Sequence, residues 1–228
     1  MPTSDRLLLA AGVLLLAGCS TPADPPAGAP APTERSSPSA QTTVGAEPVE
    51  EASLHSDGTP RRATLTIASI GVRDLAVVPY VGWTDDAPGT RIQNGGRAAS
   101  PHGPRGGVGP GGIGNYQVTA HRLSSTRAFE HLPSVRRGER VHVEAGGVRY
   151  TYRIVGTRST SFRQPASLRA QRAAVPGRPG DEPTRAMITL STCATIEDHA
   201  DGNWWADRFG NPEHRIDKIG VLVDSAPA

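Results

Sequence analysis

Hydrophobic and polar positions along this chain fall into short alternating runs parted by glycine- and proline-rich stretches, the pattern of strands joined by turns. Thr64-Leu65-Thr66-Ile67 alternates, Ser69-Ile70-Gly71-Val72 turns, and Leu75-Ala76-Val77-Val78-Pro79 continues apolar, which predicts two short strands. Tyr116 to Ala120 predicts a strand running straight into His121 and Arg122. Arg140 to Glu144 and Val148 to Val155 flank Ala145-Gly146-Gly147, the signature of a hairpin with a Gly-Gly turn. Ala186 to Thr192 predicts a strand that ends on Cys193, and Arg215 to Val223 a last one, with Ile216, Ile219, Val221 and Val223 apolar. Helix is scarce: one turn at Ala128 to Leu132 and a short helix over Pro165 to Ala174. Residues 82 to 114 are dense in Gly and Pro and read as a long surface loop. Seven or eight strands with short helices make residues 62–228 an all-β domain, either a barrel or a sandwich.

The chain ahead of Arg62 reads differently. Leu7 to Ala17 is an apolar run of 11 residues, too short to span a bilayer, with Arg6 before it and Leu16-Ala17-Gly18-Cys19 at its end. Small residues leading into a cysteine resemble a bacterial lipobox. That resemblance implies a signal peptide over residues 1–18, cleavage before Cys19, and lipidation of the Cys19 thiol. Two or three acyl chains suffice to hold a protein at a membrane, so the expected location is the outer face of the cytoplasmic membrane. From Cys19 to Arg61 prolines are scattered among Ala, Ser, Thr and Gly with no apolar periodicity, the composition of a disordered tether. As a flexible coil its reach is on the order of 35 Å.

Composition fits this division. Hydrophobic residues are 36% and aromatics 4% of the 228, beside 26 Gly and 21 Pro, a balance that suits a chain part of which does not fold. A formal net charge of +2 argues against a nucleic-acid binder, because phosphate recognition needs clustered cation. Two cysteines are too few for a disulfide scaffold, and a single apolar run rules out a polytopic membrane protein. With Cys19 taken by lipid, Cys193 has no partner. A lone thiol in an oxidising compartment is either buried or used.

Three ordered segments point to use. Thr189-Leu190-Ser191-Thr192-Cys193 is similar to the TLxTC signature of sortases, the cysteine transpeptidases of Gram-positive cell walls. Val118-Thr119-Ala120-His121-Arg122 resembles that family's segment around its essential histidine, with Ala120 in place of the usual Gly, and Arg215 opens a terminal strand where the family keeps its essential arginine. The order His, Cys, Arg, with gaps of 72 and 22 residues, matches as well, and Arg140 to Val155 resembles the hairpin between the two catalytic strands. The resemblance covers roughly residues 62 to 224 and is strongest to actinobacterial class E enzymes. It implies a closed β-barrel, no cofactor and no metal. It further implies Cys193 as nucleophile, His121 as acid for the leaving amine, Arg215 as a forked donor to the substrate backbone or oxyanion, and Thr192 with a neighbouring backbone N–H at the oxyanion site. The expected substrates are surface proteins bearing an LPxTG- or LAxTG-like sorting signal, cut after Thr and passed to an amine of a cell-wall precursor or a pilin.

The same residues admit other readings. A papain-type protease also pairs Cys with His, but its cysteine comes first. A non-catalytic surface lipoprotein that binds wall or peptide ligands is the alternative function. His142 alternates with Val141 and Val143 and belongs on the solvent face. His199 beside Glu197, Asp198 and Asp201 invites a calcium reading, against which stands their irregular ligand spacing. Trp204 and Trp205 either line the substrate groove or anchor a long loop on the barrel.

Overall fold

The computed structural model describes residues 55–228; the proposed signal peptide, Cys19 and most of the tether lie outside them. Eight strands follow in order: β1 Ala63–Ile67, β2 Val72–Val81, β3 Ala98–His102, β4 Gly114–Thr119, β5 Arg140–Ala145, β6 Val148–Ser161, β7 Ala186–Cys193 and β8 His214–Pro227. They close into a barrel in the order β1-β2-β3-β4-β7-β8-β6-β5, with β5 returning to β1. Closure is thinnest between β3 and β4, which share the single register pair Ala99–Thr119. Short helices α1 Ala87–Asn94, α2 Pro165–Arg172 and α3 Thr195–Ala200 are set into the connections. The barrel reading is thus correct and the sandwich is not.

Strand alternation builds the core. Ala63, Leu65 and Ile67 of β1 point inward, as do Val141 and Val143 of β5 and Ile188 and Leu190 of β7, all buried. Aromatics are few, yet Tyr116, Tyr152 and Phe129 are fully buried and fill much of the interior. Gly146 and Gly147 turn the β5–β6 hairpin with φ of 62° and 78°, the left-handed pair that a tight two-residue turn requires.

Residues 82 to 114 are not one long loop. Asp86 caps α1, its side chain accepting from the Gly89 N–H at 2.9 Å, and Pro88 is tolerated in the first turn. The helix crosses over to β3, which pairs parallel with β2. Four of the five β3 residues are buried, so the strand shows no alternation, and its small residues (Ala98, Ala99, Ser100) disguise it in the sequence. The turn expected at Ala128 to Leu132 is a run of tight turns ending in a 3₁₀ segment over Leu132–Ser134, which sets Phe129 and Leu132 in the core. Ordered contacts also begin ahead of Arg62: the Ser56 hydroxyl donates to the Pro110 carbonyl and the Gly109 N–H to the Gly58 carbonyl.

The remaining glycine-rich stretch packs closely against the barrel. Gly111 has φ +74° and donates its N–H to the Tyr152 hydroxyl at 2.7 Å, and a Cβ there would meet the Tyr150 ring at 2.3 Å. Gly111→Ala is expected to lower stability by about 2–4 kcal/mol, from left-handed strain plus overpacking. A shift of the urea midpoint at constant slope checks this; an unchanged midpoint would show that the loop can move aside.

Candidate active site

Topology brings distant residues to one rim. β4 and β7 are parallel neighbours, Thr119 opposite Ser191, and β8 runs antiparallel beside β7, Cys193 opposite Arg215. The ends of β4 and β7 and the start of β8 therefore share one end of the barrel. His121 follows β4, Cys193 closes β7, and Arg215 is the second residue of β8. Paired antiparallel residues place their side chains on one face of the sheet. Because Ile188 and Leu190 face the core, Ser191 and Cys193 face outward, toward Arg215 and Asp217.

Cys193 is a free, partly exposed thiol, and with His121 it lines a trough of about 440 Å³ walled by Thr90, Asn94, Phe209 and Asn211. Its Sγ lies 4.0 Å from Asn211 Oδ1. His121 Nε2 is 2.7 Å from Asn94 Oδ1 at the end of α1, an arrangement in which the ring donates from Nε2 and keeps Nδ1 free. Arg215 is only 1% exposed. Its Nε donates to Asp85 Oδ2 at 3.1 Å, its Nη1 to the carbonyls of Pro212 (2.7 Å) and His214 (3.1 Å), and its guanidinium lies over the Phe162 ring. Nη2 is buried and has no partner among the described residues. Asp85 itself is held at φ +62° in the β2–α1 connection.

The electrostatics follow from burial and from this ion pair. Burial pushes the Cys193 thiol above its ordinary 9.0, helped by Asp85 and Asp207 and opposed by Arg215. Burial pulls His121 below 6.5, opposed by Asp85 and helped by Arg215. Burial works against the Arg215 charge, but Asp85 and Cys193 outweigh it and hold the guanidinium above its ordinary value. The resting pair is therefore thiol and neutral imidazole.

Thr192 lies elsewhere. It faces inward by strand alternation, and its hydroxyl donates to the Ala120 carbonyl at 2.8 Å, tying the end of β7 to the residue before His121. The adjacent Ala194 N–H donates to the His214 carbonyl at 3.0 Å. The hydroxyl and that N–H are thus both engaged, and two buried guanidinium donors at this rim have no partner among the described residues, Arg215 Nη2 and Arg122 Nε.

α3 fastens the neighbours of His121 and Arg215. Glu197 takes a forked ion pair from Arg122, next to His121, while Asp198 accepts from the His214 N–H at 2.9 Å and sits 2.6 Å from its Nδ1, next to Arg215. Two of the three acids that suggested calcium, Glu197 and Asp198, are paired with Arg122 and His214, and no cluster suited to a metal occurs among the described residues. His199 stacks on the exposed Trp204 at 4.0 Å. From the loop after α3 it is Phe209 to Pro212, not the tryptophans, that line the trough. His142 lies on the outer face of β5, as expected.

Below the rim a second layer of polar groups is packed. Asp217, fully buried, accepts from the Ser191 and Thr160 hydroxyls, each at 2.6 Å, and from Gln171 Nε2 at 2.9 Å. The Thr84 hydroxyl donates to Gln171 Oε1, which anchors the segment bearing Asp85 on α2. Asp85, Asn94 and Asn211 carried no signal in the sequence, being polar residues in stretches without periodicity.

Residues 65–207 match the profile of the Sortase domain family. Among solved structures, a sortase of Actinomyces oris superposes with a TM-score of 0.55 at 15% identity, covering 76% of this chain and 86% of that one. A sortase E1 of Streptomyces coelicolor, solved with a tripeptide in its active site, gives 0.53 at 18% identity over 76% and 93%. Sortase E of Streptomyces avermitilis gives 0.50 at 20% over the same shares. No curated protein matches the chain. The family match spans more than half of the 228 residues and agrees with the closed barrel, so the chain belongs to the sortase family of cysteine transpeptidases.

Proposed function

We propose that Cys193, His121 and Arg215 carry out transpeptidation of an LPxTG- or LAxTG-like sorting signal. The observation that carries this is their convergence at one rim, with a buried guanidinium nitrogen left without a partner. The Cys193 thiolate attacks the carbonyl carbon of the signal's Thr, and the oxygen, as it gains charge, is held by Arg215 Nη2. The C–N bond then breaks, and the departing amine takes a proton from the His121 imidazolium. An acceptor amine attacks the thioester, returns its proton to His121 and releases the thiolate. Asn94 orients the imidazole, and Thr192 acts as a strap between β7 and β4 rather than as an oxyanion donor.

The acceptor would be an amine of a cell-wall precursor or a pilin, and the donors surface proteins bearing the signal. In this reading attachment to the membrane falls to lipid on Cys19, at the end of the lipobox-like segment, through the tether up to Arg61. Purified chain incubated with LPxTG and LAxTG reporter peptides and an amine is expected to release the reporter and form an adduct on Cys193, visible by intact mass. Absence of both cleavage and adduct with every peptide would favour a surface lipoprotein that binds without catalysis.

A further inference from the structure

A second concavity, of about 540 Å³, lies against α2 and has a different character from the trough. Arg105, Arg169 and Arg172 line it, beside an apolar wall that includes Pro165, Leu168 and Pro179. Two of the three guanidiniums are fixed in advance. Arg105 lies 3.8 Å above the Trp83 ring, and Arg172, half-buried, donates from Nε and Nη2 to the hydroxyl and carbonyl of Thr84 at 3.0 and 3.2 Å. No carboxylate lines the cleft. Asp86 is committed inward to the N–H groups of Trp83 and Gly89, and Asp85 to Arg215; Asp181 pairs with Arg178 at the surface, and Glu182 beside it lines a different concavity. Burial works against the Arg172 charge, with Asp85 the main opposing influence. The cleft is thus a fixed surplus of positive charge beside apolar surface, complementary to an anion with an apolar neighbour.

Its place in the fold says which part of a substrate would reach it. Arg172 is bonded to Thr84; the next residue, Asp85, holds Arg215; and Arg215 stands opposite Cys193. α2 also lies over the earlier part of β4, whose Asn115 and Gln117 donate to the Gln171 and Arg172 carbonyls, whereas His121 follows the end of that strand, in the trough with Phe209 and Asn211. A leaving amine that takes its proton from His121 puts the C-terminal part of the peptide over that trough. The acyl part then runs the opposite way, past Arg215 and toward the three arginines. We propose that this cleft is a subsite for an acidic side chain N-terminal to the cleaved sorting signal, making the enzyme selective for donors with an Asp or Glu there. The inference rests on the transpeptidase reading above.

The test is a peptide panel in which one Glu is moved position by position through about eight residues ahead of the motif, roughly 26 Å of extended chain at about 3.3 Å per residue. Each Glu peptide is compared with its Gln and Lys counterparts. One register is expected to show KM about tenfold lower for Glu than for Gln, and higher again for Lys, with kcat little changed and the preference shrinking as salt is raised. Arg169→Gln with Arg105→Gln is expected to erase the preference while leaving turnover of the Gln peptide as it was; Arg169→Glu is expected to turn it toward Lys. Equal kcat/KM for Glu, Gln and Lys at every position, in peptides that are cleaved, would overturn the subsite alone. Failure to cleave any peptide would overturn the subsite together with the function on which it rests.

Discussion

Arg215→Lys is expected to lower kcat/KM by about 10²–10³-fold while leaving both limbs of the pH profile in place. The substitution keeps the positive charge but removes the fork. In the native site Nε is held by Asp85 and Nη1 by two carbonyls, and these three bonds aim the remaining nitrogen, Nη2, at no protein group. An ammonium cannot hold Asp85 and both carbonyls and also present a donor in the direction of Nη2. Loss of one pre-aimed donor to a developing oxyanion costs about 2.7–4 kcal/mol of transition-state stabilisation, the origin of the expected factor. Arg215→Ala goes further, since it strands Asp85, 7% exposed, without its cation, and is expected to lower stability by about 3 kcal/mol as well as abolish turnover. Urea unfolding separates the two losses. Near-native kcat/KM in a folded Arg215→Lys protein would reduce the arginine to a source of positive potential.

The rim was legible in the sequence because its three residues sit where strong strand patterns end. Leu190 and Ile188 mark the inward face of β7, so the position of Cys193 past them follows from alternation, and Tyr116 to Ala120 leads to His121 in the same way. Residues that hold those three side chains were not legible. Asp85 and Asn94 come from a stretch whose Gly and Pro content hides α1, and β3 is buried too completely to alternate. Their partners lie far along the chain, 130 residues for Asp85 and Arg215, and only barrel closure brings them together. Glu197 and Asp198 show the converse ambiguity. Adjacent acids on a helix diverge by about 100°, so one reaches Arg122 and the other His214, partners that their irregular spacing in the sequence does not name even as it argues against a shared cation. Thr192, expected at the oxyanion site, points inward to the Ala120 carbonyl, since its neighbour Cys193 takes the outward face.

The second large effect is on pH dependence, and it isolates Asp85. Turnover through a thiolate and an imidazolium requires Cys193 deprotonated while His121 is protonated. Since the thiol is pushed above 9.0 and the imidazole below 6.5, the reactive pair is a minor form at every pH. Its share rises with pH up to the histidine pKa, is flat between the two values, and falls above the cysteine pKa, so kcat/KM is expected to trace a broad bell. Asp85 raises both groups, because a carboxylate favours imidazolium and disfavours thiolate. Asp85→Asn therefore is expected to move both limbs toward lower pH and, by loosening the guanidinium held through Nε, to lower the plateau about tenfold or more. A purely structural role would lower the plateau and leave the limbs alone. One carboxylate field acting on both groups predicts a single direction of travel, so limbs that move apart or stay fixed, measured with the same reporter peptide from pH 5 to 10, would remove Asp85 from the electrostatics of the site. A rise in the plateau would instead mean that Asp85 holds Arg215 away from the substrate, and that its release, not its retention, precedes acyl transfer.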